Sequence, residues 1–498
     1  MITTFTFIPL LAALIIVLSP GRNRRQIMLT ALIGILLSSV LTLSLALQVV
    51  SRNGLQFVEK RVWIPSIGVD YFVGIDGLNL LLVLMVAILS PIIVLASRGI
   101  EGKEKPYFSL LSVQVTALYG AFTALNFFHW FIFWEAALVP AFFLIKLFGG
   151  AKCHKAALNF FIFTILGSVA MLLGMLFLYL HTGTFDFIEL HRLAIEGIIT
   201  SELGGFYPVI FVAVMLGLWV KVPLFPLHSW QAPAYAAAPV PVSMVLAGIM
   251  SKMGVYGFLR LVLPVFPEAM QAYADTLLAF ALITLLWGAF IALRQRDLKR
   301  VLAYSSLNHV AYCMFGIFAL GAAVSPEGMN APAIAVQGVI LQMFGHGIGI
   351  SGLFYAVGKL EAVAGSRDIH EFGGLGSVMP RYVFVFGLLV FSSLGLPFLA
   401  GFAAEILIFT GAFALAPWHT GLALLGLLAT AVFLLNILQR LFTGPVNPDR
   451  SGMADISFRE VLYISPILVL TLWIGLFPDA WLPFSAPLVE SFTILISQ

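Results

Sequence analysis

The chain has 498 residues, 61% of them hydrophobic and 10% charged, with a formal net charge of +3 and a mean hydropathy of +1.05. Soluble globular domains carry about a quarter of their residues as charges, so this composition specifies a membrane protein. The small net charge, distributed as short basic clusters between apolar segments, excludes a nucleic-acid surface, and Cys153 and Cys313 are too few and too far apart for a disulfide framework, a zinc site or an iron–sulfur cluster.

A membrane-spanning helix needs about 20 mostly apolar residues. Fourteen segments qualify: 3–19, 28–50, 78–97, 107–127, 129–148, 156–180, 207–230, 239–259, 273–293, 301–321, 331–358, 382–413, 419–439 and 461–477. The first is followed by Arg22, Arg24 and Arg25, whereas a secretory signal places its positive charge before the apolar run, so it reads as a retained span. The segments 331–358 and 382–413 exceed one bilayer crossing and predict tilt, a break or an extension.

Charge asymmetry tests this count, because cytoplasmic connections collect Lys and Arg. With Lys146, Lys221 and Lys252 assigned to spans, 18 of the remaining 23 basic residues fall in odd-numbered connections and 5 in even-numbered ones. A wrong count would scramble the two sets. Both termini are therefore expected on the non-cytoplasmic side of a bacterial cytoplasmic membrane or, alternatively, a thylakoid membrane.

Two spans carry breakers near their middles. The seventh reads LWVKVPLFPLHSW, with Pro223 and Pro226 just after Lys221; the twelfth reads SSLGLPFLAGFAAE, with Pro397 and Gly401 just before Glu405. Each proline removes a helical donor. A single kink is common in membrane helices, but two breaks five spans apart, each beside an ionisable residue, point to an inverted-repeat transporter with its site near mid-membrane. Spans four to eight would match spans nine to thirteen, giving N-terminal spans over 1–106, a first repeat over 107–263, a second over 273–442, and a last span with its tail over 443–498.

The ionisable residues within spans carry the chemistry. A charge at bilayer depth costs about 2.5–3.5 kcal/mol on insertion scales and marks an ion or proton path. Lys221 and Lys252 are usable proton stores, because burial promotes proton loss and a carboxylate reverses it; Glu135, in FIFWEAALVP, is the carboxylate to bias a lysine. The competing reading is a static ion pair that fixes packing; the mid-span positions of Glu135 and Lys221 favour the functional one. Lys146, near a span end, reads as snorkelling. His309 and His346 can pass protons through water or serve as hydrogen-bonded packing residues, and both readings stay open. Tyr304, Ser305, Ser306 and Asn308 offer groups to hold water, and His228 reads as a cap for backbone freed by the prolines. GIGISG at 347–352 matches a dinucleotide-loop pattern but lies within an apolar run, where small residues for close helix packing explain it better. With no Walker loop, H-E-x-x-H or C-x-x-C, neither a metal nor a cofactor is expected in this chain.

The segments VWIPSIGVDYFVGIDGLNL, FWEAALVPAFFLIKLFGG, VKVPLFPLHSW, LAGIMSKMGVYGFLR, RDLKRVLAYSSLNH and SSLGLPFLAGFAAEILIFTGAF, in this order, resemble the antiporter-like membrane subunits of complex I and its relatives. The resemblance is greatest to the NuoM or NdhD type, because Glu405 occupies a span-twelve position where lysine is expected in the sister subunits and in the comparable Mrp antiporter subunit. It implies an all-helical proton-translocating subunit, with Glu135 and Lys221 as the paired residues, Lys252 as the connecting lysine, His309 and His346 on the polar axis, and Glu405 toward the exit. Sister antiporter-like subunits and the lipid bilayer are the implied partners, with quinone, flavin and iron–sulfur clusters in other subunits. After PLHSW the chain departs from the family's L-P-D-A-H-x-E-A-P, placing Pro233, Tyr235 and Ala237 at the acidic and histidine positions. The alternatives are a subunit of a multi-subunit cation/proton antiporter and a structural membrane scaffold with inert charges.

Overall fold

The computed structural model describes residues 1–20, 23–50, 54–322 and 330–485. Arg22 and Arg52 of the charge count, and residues 486–498 of the expected C-terminal tail, lie outside the described residues. Among those described, eleven helices are long and apolar enough to cross a membrane. The other three expected spans are Ile2–Leu18, Glu104–Thr123 and a twelfth split into Pro380–Ser393 and Ala400–Leu415. Five spans is an odd number, so the ninth span enters from the side opposite to the fourth, as the expected inverted relation of spans four to eight and nine to thirteen requires.

Burial sorts the spans by job. The best apolar windows of the eighth (Val240–Val265), tenth (Leu298–Ala322) and eleventh (Ala331–Ala364) spans are 100%, 94% and 89% buried within the chain, against 39% for the sixth (Cys153–Thr182) and 44% for the thirteenth (Pro417–Phe442). The three inner spans carry Lys252, His309 and His346, where neighbouring helices rather than lipid surround a polar group. Close approach makes this packing feasible. A Cβ on Gly347 would lie 2.2 Å from Met85 Sδ and 2.7 Å from the Gly248 carbonyl, while one on Gly248 would lie 2.0 Å from Ser351 Oγ. The GIGISG run therefore serves helix packing.

Three features escaped the apolar pattern. The connection between spans two and three folds into an antiparallel hairpin, β1 (Gln56–Ile64) with β2 (Val69–Ile75). Two short helices, Phe187–Ile195 and Ile198–Leu203, link spans six and seven. Span seven does not end at residue 230: its first half, Tyr207–Lys221, is followed by a non-helical stretch and a second half-helix, Gln231–Ala237.

Candidate proton-relay site

Span five (Phe127–Phe148) starts where the Asn126 side chain accepts from the Phe128 and His129 amides, and this cap sets the rotation that carries Trp134 and Glu135. The Trp134 indole is held by a 2.9 Å hydrogen bond to Ser168 Oγ, and Lys221 Nζ sits 4.6 Å over its ring. Lys221 is 3% exposed and is the last residue of its half-helix, where the dipole favours a cation. Among the described residues no ion pair within 4.0 Å joins Glu135 to Lys221, and Glu135 Oε1 has no hydrogen-bond partner. The expected pair is thus a separated one.

The break after Lys221 is sealed by side chains. Trp230 Nε1 donates to the Val220 carbonyl at 3.1 Å, Trp219 Nε1 to the Phe225 carbonyl at 3.0 Å, and Thr284 Oγ1 accepts from the Phe225 amide at 3.0 Å. These groups share the capping expected of His228, which interacts with the Pro226 backbone and stacks on Phe225 with Nδ1 unpartnered. The departing residues have structural roles here. Gln231 donates to the Ala303 carbonyl and Tyr235 to the Leu246 carbonyl, each at 3.0 Å.

From Lys221 a cavity of about 10 Å³, lined by Phe160, Trp230, Tyr235, Leu246, Met250 and Ser251, leads to span eight. That is about the room one water needs. Span eight carries a π-helical turn at Leu246–Met250, a local widening frequent at functional sites. In it the Ser251 amide pairs with the Leu246 carbonyl, and the Ala247 carbonyl takes the Ser251 hydroxyl at 2.8 Å and Lys252 Nζ at 2.7 Å. Lys252 spends its other two donors on Ser251 Oγ at 3.2 Å and His346 Nδ1 at 3.1 Å, with no carboxylate in contact among the described residues.

The His346 ring stacks on His309, centroids 5.0 Å apart and planes 8° from parallel. His309 Nδ1 meets the Ser305 carbonyl at 2.7 Å, and Nε2 meets the Ser393 carbonyl at 2.8 Å and Glu405 Oε1 at 3.6 Å. A neutral imidazole donates from one nitrogen, so both carbonyls receive a hydrogen bond only from the imidazolium. Span twelve supplies this end. Gly395 takes φ +78, and a Cβ there would lie 2.7 Å from Glu405 Oε2. A Cβ on Gly401 would meet the Ser392 carbonyl at 1.9 Å. Only glycine lets the two half-helices close around the carboxylate.

The structure brings Lys252, His346, His309 and Glu405 into successive contact, with Lys221 on the small cavity that reaches Ser251. Ser305 Oγ, Ser306 Oγ, both polar atoms of Gln342 and His346 Nε2 are buried without protein partners. Asn308 is a packing residue instead, bonded to the Leu285 carbonyl at 2.8 Å and Thr430 Oγ1 at 2.9 Å. Sequence reading missed Trp134 and Ser251, whose one signal was adjacency to Glu135 and Lys252. It also missed Arg260, counted as a connection residue: it lies inside span eight and forms a two-point ion pair with Asp76, at 2.6 and 2.8 Å.

Known proteins are similar to this chain in sequence and fold. The sequence pattern of a family described as "NADH:quinone oxidoreductase/Mrp antiporter, TM" matches residues 124–433. NADH-quinone oxidoreductase subunit M of Rickettsia prowazekii is 32% identical over 95% of this chain and 94% of its own. F(420)H(2) dehydrogenase subunit M of Methanosarcina mazei is 37% identical over 86% of this chain and 85% of its own. A chain of the respiratory complex I structure from Thermus thermophilus with bound NADH superimposes over the full length of both chains with a TM-score of 0.88 and 27% identity. The chain therefore belongs to the NADH:quinone oxidoreductase/Mrp antiporter membrane family.

Proposed function

We propose that this chain is the proton-translocating, subunit M-type component of a complex I-like quinone oxidoreductase, moving protons along the Lys221–Lys252–His346–His309–Glu405 corridor. The observation that carries the reading is Lys252, a buried lysine whose contacts run on one side to Ser251 and the cavity below Lys221 and on the other to His346. Flavin, iron–sulfur clusters and quinone belong to partner subunits on this reading, and sister antiporter-like subunits flank the chain in the membrane. The first repeat, 107–263, would hold the entry half of the path and the second, 273–442, the exit half. The basic odd-numbered connections would face the cytoplasm and both termini the opposite side.

The separated Glu135 and Lys221 form the switch. A neighbouring subunit that moves negative charge toward or away from Lys221 changes its hold on a proton, which passes through the water-sized cavity to Lys252. Lys252 then gives one proton from Nζ to His346 Nδ1, leaving a neutral amine and an imidazolium. Stacked rings cannot hydrogen-bond to each other, so the proton leaves by His346 Nε2 through water held near Ser305, Ser306 and Gln342. Two imidazoliums 5.0 Å apart repel by about 3 kcal/mol at an effective dielectric constant of about 20. One ring must therefore discharge toward Glu405 before the other charges, and the pair passes protons singly.

Lys221→Met in the assembled complex tests the reading: quinone reduction should persist while proton uptake into membrane vesicles falls by on the order of 10²-fold. Pumping that stayed at full strength would reject the role of Lys221. The rival reading, a subunit of a cation/proton antiporter without electron transfer, has Glu405 against it. Purification without a quinone-reducing arm would favour it.

A further inference from the structure

We propose that the ends of spans nine and thirteen form a binding site for the phosphate headgroup of an anionic phospholipid. A cavity of about 270 Å³ there is lined by Arg294, Arg296, His370, Asn436 and Arg440 over an apolar floor that includes Phe433 and Ile437. Its walls are fixed by backbone pairing: the Ile369 amide bonds to the Arg296 carbonyl at 2.9 Å and the Leu298 amide to the Arg367 carbonyl at 3.0 Å. Arg440 is positioned by Asn436 Oδ1 and His370 Nδ1, both at 2.9 Å. Because His370 Nδ1 accepts there, the neutral ring carries its proton on Nε2, a further donor for an anion.

The charge is uncompensated. Among the described residues no carboxylate lies within 4.0 Å of Arg294, Arg296 or Arg440, and the nearby acids are committed elsewhere. Asp297 pairs with Arg367 at 2.9 Å, Glu371 pairs with Arg450 at 2.6 Å, and Asp368 accepts from the His370 amide at 2.9 Å. Three guanidiniums without an acid match a phosphate.

The surroundings choose a lipid. Exposed apolar residues on span nine, Ile283, Trp287 and Phe290 at 42%, 43% and 55%, recur at helical spacing and end on Arg294. On span thirteen, Leu428 and Val432, 64% and 51% exposed, lead at the same spacing to Asn436 and Arg440. Eleven residues of helix from Ile283 to Arg294 span about 16 Å, about one leaflet of a roughly 30 Å hydrocarbon core. Two apolar stripes thus run down from one basic pocket, the shape of a two-chain lipid with an anionic head, and basic pockets between spans at the membrane surface recognise such heads.

The full chain in its native assembly, in nanodiscs of phosphatidylcholine with a minor fraction of phosphatidylglycerol, provides the test. Lipid mass spectrometry after detergent stripping should find phosphatidylglycerol retained in preference to phosphatidylcholine. The Arg294→Gln/Arg440→Gln double variant should lose that retention several-fold, and the corresponding double lysine variant should recover part of it. Equal retention of the two lipids by the unaltered assembly, or undiminished phosphatidylglycerol in the glutamine variant, would overturn the site. Release of the lipid by inorganic phosphate at matched ionic strength would overturn the lipid assignment in favour of a free-anion site.

Discussion

Spans seven and twelve break at corresponding points of the two repeats, yet they hold opposite charges in unlike surroundings. Lys221 ends its half-helix over the face of Trp134, with Glu135 beyond ion-pair distance. Glu405 lies in the second half of its span with His309 Nε2 at 3.6 Å. The first break is sealed by indoles and a threonine, the second by the close approach that Gly395 and Gly401 permit. One break therefore leaves its lysine without a carboxylate in contact among the described residues, while the other sets a carboxylate beside a histidine. On the proposed function, the two broken spans carry two different devices, a switch and a sink.

The largest effect that could break this comparison comes from the residue joining the two halves. Lys252→Met removes the donor shared by Ala247, Ser251 and His346, and proton pumping should fall by on the order of 10²-fold with quinone reduction retained. Pumping above half of the unaltered level would mean that the two breaks work independently. Glu405→Gln takes away the carboxylate beside His309 but keeps its shape. Pumping should drop by about ten-fold or more while the Lys221 end still assembles; equal loss in both rates would assign Glu405 to folding instead of transfer.

Asp76→Asn addresses stability away from the corridor. It leaves Arg260 buried without its carboxylate, a loss of about 3–5 kcal/mol, so the melting temperature in detergent should fall. A fall in pumping with no change in melting would place the Asp76–Arg260 pair on the proton path. Ser251→Ala sharpens the link below Lys221. The bond to the Ala247 carbonyl and the one from Lys252 Nζ are both lost; the latter, at about 1 kcal/mol, should slow pumping by about five-fold, and no slowing would show that protons reach Lys252 by another route.

The smallest expected effect lies on the opposite membrane face. Burial raises the Glu59 carboxyl, but the terminal ammonium and Thr3 outweigh it and hold the group below its ordinary value. A depressed carboxyl stabilises the docking of β1 on span one above the ordinary carboxylate range and loses that contribution as pH falls through its lowered value. The group is largely solvent-screened, so the effect is modest. The protection of the Ile2 amide, bonded to Glu59 Oε1 at 2.7 Å, against hydrogen exchange relative to its intrinsic rate should fall in acid and lose that dependence in Glu59→Gln, with pumping unchanged.

Much of this was legible in the chain itself. Length and hydropathy set the number of crossings, because water-free surroundings force backbone groups to pair within each span. Pro223, Pro226 and Pro397 marked the breaks, since proline has no amide donor, and the ionisable residues stood out because hydrocarbon penalises them. What periodicity could not place is which atoms meet. Lys252 touches His346 across 94 positions and His309 touches Glu405 across 96. The π-turn before Lys252, the separation of Glu135 from Lys221, the structural use of Gln231 and Tyr235, and the acid-free basic pocket all depend on helix rotation and depth. Local sequence fixes each span's identity through its own backbone and solvation; tertiary packing alone decides which polar groups share a buried interior, because that choice belongs to the surfaces of several helices at once.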